Sequence, residues 1–179
     1  MESGQTNYIY ADGLETDRLR TRFLTRDDEE PWIEFFKEKE TTEFMPLFHT
    51  LTPETSSKTW LDWQLNRYAA GKLGLQALID KHSNQLIGHC GLLTQTIEGK
   101  GELEVGYHIL KRHWGNGYAT EAAKRFIDYA FESNLVTSLI SIIDIGNVRS
   151  QRVANKNGLT LEKKVLWNDK DMYLYRIRA

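Results

Sequence analysis

Residues 112–121, Arg-His-Trp-Gly-Asn-Gly-Tyr-Ala-Thr-Glu, bring together a cation, two glycines one residue apart and the start of a periodic segment. Ala119, Ala122, Ala123, Phe126, Ile127 and Ala130 recur at helical spacing, and the preceding residues 102–110 (ELEVGYHIL) read as a strand. At such a strand-to-helix junction the first N–H groups of the helix have no intrahelical partner and the helix dipole is positive, so a phosphate meets converging donors. Gly115 and Gly117 let the backbone approach an anion without a Cβ in the way. The chemistry implied is the binding of a phosphorylated ligand.

Three phosphate-binding patterns compete for this turn, and spacing separates them. A G-x-x-x-x-G-K-[ST] string occurs nowhere in the chain. A dinucleotide fingerprint, G-x-G-x-x-G/A, finds its first two positions in Gly115 and Gly117 but has Thr120 at the third, with Asp144 as a candidate ribose-binding acid. A dinucleotide-dependent oxidoreductase is therefore one alternative. It conflicts with a chain that opens on helices and a hairpin meander, not on repeated parallel units. The third pattern, [Q/R]-x-x-G-x-[G/A], is matched by Arg112 to Gly117. With that match the chain resembles the GNAT acetyltransferase superfamily, and Trp114-Gly115-Asn116-Gly117-Tyr118-Ala119-Thr120-Glu121-Ala122 resembles its RimJ/RimL-type branch. Three further segments agree: the T-x-R-L of Thr16, Arg18 and Leu19, the strand Glu104-Val105-Gly106-Tyr107, and Asn147, Ser150, Lys156 and Gly158 in the order N-x-x-S and K-x-G.

The resemblance implies an α/β (α+β) fold with a single mixed, mostly antiparallel sheet, splayed central strands and about four flanking helices. It implies acetyl-CoA as co-substrate in the splay. Ile109 and Leu110 would offer backbone groups to the pantetheine and thioester. Arg112, Gly115, Asn116, Gly117, Tyr118, Ala119 and Thr120 would hold the diphosphate, with Asn147 and Ser150 on the far side. No metal is expected. The acceptor is an amine, either a peptide N-terminus or a small molecule.

Acetyl transfer needs an unprotonated amine, a stabilised oxyanion and a proton for the leaving thiolate. An α-amine is roughly a tenth neutral at pH 7 and a lysine amine about one part in 2,500, so an N-terminal acceptor asks less of the base. Glu104 is the candidate base, and His108, on the same strand face, is a candidate relay. Many superfamily members carry a tyrosine acid seven residues after the helix's Asn; here that position is Ala154, followed by Asn155 where the branch often has Glu. Ser150, Tyr118 and solvent are the remaining proton donors. The missing tyrosine makes a non-catalytic CoA-binding module the second alternative.

The elements that must position these groups follow from periodicity and punctuation. A strand is expected over 18–24, then a helix capped by Thr25 and carrying Trp32, Ile33, Phe35 and Phe36. Thr52-Pro53 starts a second helix running to about residue 70, with Trp60, Leu61, Leu65 and Tyr68 inward. Strands over 75–80 and 86–96 form a hairpin, and 138–144 is an apolar strand. Residues 147–157 make a short helix, and two strands flank residues 168–171. Residues 34–68 are expected to supply acceptor contacts, with Phe44, Met45, Phe48 and Trp60 as apolar surface and Glu40 and Glu43 as anions for a cation.

With 179 residues the chain is long enough for one domain, placed at 14–179 behind a loose leader over 1–13. A net charge of −2 and a pI near 6.2 give no footprint for nucleic acid. The lone Cys90 excludes an intramolecular disulfide and reads as a buried strand residue. No signal peptide or membrane span is recognisable, so a cytoplasmic monomer or homodimer is expected.

Overall fold

A computed structural model describes residues 10–179. Seven strands form one sheet in the order β1-β2-β3-β4-β5-β7-β6. They are β1 (Leu19–Arg22), β2 (Leu75–Asp80), β3 (Leu86–Ile97), β4 (Lys100–Ile109), β5 (Ser138–Asp144), β6 (Thr160–Trp167) and β7 (Lys170–Arg178). Every neighbouring pair is antiparallel except β4 and β5, which run parallel. The helices are α1 (Glu29–Lys37), α2 (Lys39–Thr42), α3 (Pro53–Ala69), α4 (Tyr118–Glu132) and α5 (Val148–Lys156). The mixed, mostly antiparallel sheet is the expected one. The helix beyond the expected four is α2, a single turn too short to leave a periodic signal.

Local chemistry sets the boundaries. The Thr52 hydroxyl accepts the Thr55 N–H at 3.2 Å and Pro53 fills the first helical position of α3, where a missing N–H costs nothing. The β6–β7 hairpin turns on Asn168 and Asp169, both at positive φ (49° and 59°), as a two-residue turn matched to strand twist requires. The first helix begins later than Thr25 implies, because Arg26–Asp28 form a 3-10 turn. There the Asp28 carboxylate takes both the Thr25 N–H at 2.9 Å and the Arg22 guanidinium.

Each face of the sheet has its own apolar layer. On one, Phe126, Ile127 and Ala130 of α4 pack on Cys90, Leu92, Val105 and Ile109. On the other, Trp32 and Phe35 of α1 and Trp60 and Leu61 of α3 cover Leu75, Ala77 and Ile79. Strand alternation then puts Glu104, Gly106 and His108 of β4 on the α1–α3 face. Two residues of the expected loose leader are held: the Tyr10 hydroxyl donates to Gly74 O at 2.6 Å, and the Ala11 N–H to Tyr129 Oη at 2.9 Å. Residues 1–9 of that leader lie outside the described residues. Cys90 is fully buried, and burial pushes its thiol up.

One end of the β4–β5 pair is stapled. Arg176 of β7, nearly buried, reaches Glu102 of β4 at 2.8 Å and the Ser138 hydroxyl of β5 at 2.7 Å. Among the described residues, no helix is long and apolar enough to cross a membrane. Phe126, with no exposed surface, joins α4 to the sheet, so Phe126→Ala should cost about 3–5 kcal/mol in denaturant-monitored stability. A cost below about 1 kcal/mol would show that α4 is not held by this contact.

Candidate active site

Beyond the staple the central strands part. β4 and β5 are in register only at Glu104 and Ile140. In a continuing parallel ladder the Ile142 N–H would donate to Val105 O. Instead it donates to Glu104 Oε1 at 3.1 Å, and Val105 O accepts the Ser141 hydroxyl at 3.2 Å. Side chains thus satisfy the backbone groups released at the fork, so the strands can separate without orphaned amides.

The direction of the β4 amides past the fork follows from its other edge. Leu110 donates its N–H to Ile87 O at 3.0 Å. Alternation in an antiparallel ladder therefore turns the N–H groups of Ile109 and Tyr107 the other way, into the split. This corrects the expectation for Leu110, whose amide is committed to β3. The Ile109 carbonyl is also used, accepting the Trp114 indole N–H at 2.8 Å. Of the pair Ile109 and Leu110, the Ile109 N–H is the backbone donor facing the opening.

The glycine turn closes one end of the split. Gly115 and Gly117 hold φ of 77° and 80°, a region that other residues enter only with strain. Gly117 is the N-cap of α4 and supplies no side-chain cap, and the first intrahelical bond is Glu121 N–H to Gly117 O. The Tyr118, Ala119 and Thr120 amides are thus the helix's free first-turn donors. The T-x-R-L segment braces this turn: Arg18 donates to Asn116 O at 2.9 Å and to Glu121 at 2.7 Å, and its guanidinium lies 4.3 Å from the Tyr118 ring centre. Two expectations change here. The Arg112 guanidinium pairs with Glu34 of α1 and contacts His113, so it does not point into the turn. The Asn116 side-chain amide folds back on the His113 and Trp114 carbonyls.

On the far wall, Asn147 caps α5 by accepting the Ser150 N–H at 3.1 Å, leaving its amide N–H₂ to present to a ligand. The Ser150 hydroxyl donates to Tyr107 Oη at 3.2 Å, and Tyr107 donates to Ser150 O at 2.9 Å. Ala154 is buried, so no hydroxyl stands there. Asp144 receives the Gly146 N–H and pairs with Lys170 at 3.1 Å.

These parts line one cavity of about 1560 Å³ that runs from the glycine turn through the split to α3. Glu104 sits on its floor. Burial raises the carboxyl to about 7, against the opposing effects of the Gln95 amide at 2.7 Å, the Ile142 N–H and the charge of Arg67. His108 packs edge-on to Trp60 (4.7 Å between ring centres) and Phe35, and burial lowers it to about 4, so it is neutral at pH 7. Glu40 and Glu43, expected as free anions for a cationic acceptor, are already paired with Lys111 and Arg149. Tyr107, Gln95 and Arg67 were not singled out by sequence reasoning. The Tyr107 signal was present in the Glu104-to-Tyr107 motif, whereas Gln95 and Arg67 become visible only through register and packing. Among the described residues no cluster of His, Cys, Asp or Glu could hold a metal.

Residues 18–160 match the family model for the acetyltransferase (GNAT) domain. The Bacillus subtilis (strain 168) uncharacterized protein YkkB is 33% identical over 157 residues, spanning 87% of this chain and 90% of its own. The crystal structure of the acetyltransferase from Agrobacterium tumefaciens str. C58 superposes with a TM-score of 0.79 at 25% identity, covering 96% of this chain and 97% of its own. The ribosomal L7/L12 α-N-protein acetyltransferase RimL, in complex with coenzyme A, has a TM-score of 0.74 at 13% identity, covering 93% and 98%. That last likeness is one of fold.

The Glu104 environment makes stability depend on pH. A carboxyl raised in the fold holds its proton through a range where the unfolded chain has lost it, so folding is favoured at low pH and that advantage is lost as pH rises through about 7. Replacing Glu104 by Gln removes the titration. Relative to Glu104→Gln, the wild type should therefore lose about 2.5 kcal/mol between pH 5 and pH 8. Parallel stability curves for the two proteins would show that Glu104 is not desolvated.

Proposed function

The chain belongs to the GNAT acetyltransferase family, and from that premise we propose that it transfers acetyl from acetyl-CoA to an amine entering from the α1–α3 side of the split. Membership sets aside the dinucleotide-dependent oxidoreductase, as does a sheet with a single parallel pair. It also favours an acyltransferase over a non-catalytic CoA-binding module.

In this reading the diphosphate of acetyl-CoA rests on the Gly115-to-Thr120 turn, where the free amides of α4 and the positive dipole meet it. The pantetheine runs along the free edge of β4 past Tyr107 and Ile109, with the Asn147 amide on the opposite wall. The Ile109 N–H meets the thioester oxygen, whose charge grows as the amine attacks. Glu104 accepts the amine's proton, directly or through water. A carboxyl held near 7 is a stronger base than an ordinary one and is still about half ionised at pH 7. Neutral His108 lies two residues along the same face and serves as a relay. As the carbon–sulfur bond breaks, the thiolate takes a proton from the Ser150–Tyr107 hydroxyl pair or from solvent.

The observation that carries this reading is the fork itself. A free β4 edge leads from a helix start that binds anions to a carboxylate tuned for base catalysis. The likeness to the RimJ/RimL-type branch supports a peptide N-terminal α-amine as one acceptor class, and a small-molecule amine is the other.

Following CoA release with a panel of peptides and small amines tests the reading. Glu104→Gln should lower kcat about 100-fold or more at pH 7 while leaving acetyl-CoA affinity unchanged. The wild-type rate should rise with pH through an apparent value near 7, and the variant should lack that limb. An unaltered rate in Glu104→Gln would remove Glu104 as the base.

A further inference from the structure

The acceptor half of the cavity contains one cation whose setting its neighbours do not account for. Arg67 lies on α3 in the cavity wall and is half-buried. Its Nε donates to Leu73 O at 2.7 Å, and its Nη2 reaches Thr94 O at 3.4 Å and Thr94 Oγ1 at 3.2 Å. These partners are all neutral. Among the described residues no carboxylate comes within ion-pair distance of it. The other lysines and arginines lining the cavity differ: Arg149 and Lys170 are paired with Glu43 and Asp144, while Lys72, Arg152 and Lys156 are exposed.

A half-buried guanidinium matched only by neutral oxygens is incompletely compensated, and burial lowers its pKa. Two of its three nitrogens are tethered, which holds the head in the cavity wall. Nη1 retains its N–H donors, which can make a charge-assisted hydrogen bond to a carboxylate oxygen. Arg67 is also within coulombic reach of Glu104 on the cavity floor. Between and above them the wall is apolar: Leu93, Phe48, Trp60 and Trp63, the last still 41% exposed.

Building on the acetyl-transfer reading, we infer that the acceptor is an amine bearing a carboxylate on an apolar body, with Arg67 binding the carboxylate while the amine faces Glu104. Arg67 then determines specificity and takes no part in bond making. The paired state of Glu40 and Glu43 agrees with this, since the wall offers a polycationic acceptor few free anions.

The test uses matched pairs: L-phenylalanine against phenethylamine, L-leucine against 3-methylbutylamine, and glycyl-L-phenylalanine against its C-terminal amide. Binding to the CoA-loaded protein is read from quenching of tryptophan fluorescence, and turnover from CoA release. In at least one pair the carboxylate member should bind the wild type about tenfold or more tightly. Arg67→Gln should abolish that preference and leave the partner lacking the carboxylate within twofold, and Arg67→Lys should restore part of it. Equal binding of both members in every pair overturns the inference. So does an equal weakening of both members in Arg67→Gln, because Arg67 would then act only on the fold or on Glu104. A carboxylate preference in binding without CoA release would retain the anion site and reject acetyl transfer. Turnover confined to amines without a carboxylate would do the reverse.

Discussion

The Ile142 amide leaves the sheet at Glu104, and the rest of the site depends on that exchange of partners. Parting two central strands normally orphans backbone groups in the least hydrated part of a protein. Here the Glu104 carboxylate takes the Ile142 N–H and the Ser141 hydroxyl satisfies Val105 O. Burial at that position raises the carboxyl to about 7, although the Ile142 N–H itself favours the ionised form. One residue therefore ends the ladder, opens the split and carries a titratable group at its apex.

Geometry follows outward from the fork. Arg176 binds Glu102 and Ser138 behind it, so separation proceeds in one direction. Ahead of it, the antiparallel bond from Leu110 to Ile87 sets which amides of β4 look into the gap. Arg18 and Glu121 tie the glycine turn to β1 at the exit, joining residues about a hundred positions apart. The two faces of the sheet then divide the work. The α4–α5 side offers free amides and an Asn amide, suited to a phosphorylated donor, and the α1–α3 side offers an aromatic wall with Arg67.

Much of this was legible in the sequence where chemistry is local. The two glycines at positive φ, the Thr52-Pro53 start of α3 and the helical period of α4 are properties of a few neighbouring residues, and each lies where the sequence puts it. Glu104 was recognisable by its place on the strand entering the turn. The misreadings share one cause. Whether Leu110 or Ile109 presents its amide depends on the register with β3, and whether Arg112, Glu40 or Glu43 is free depends on partners 70 to 110 positions away. A one-turn helix such as α2 has no period to detect. Arg67 and Gln95 carry no motif and are significant only because packing sets them beside Glu104.

The central claim is that the β4 edge beyond Glu104 receives acetyl-CoA. Residue-resolved amide hydrogen exchange, with and without the coenzyme, tests it most directly. The account predicts that acetyl-CoA slows exchange at Tyr107, Ile109 and the amides of Tyr118 to Thr120, while Leu110, already bonded to Ile87, is unchanged. Protection confined to other parts of the chain, or equal protection of Leu110 and Ile109, would contradict it.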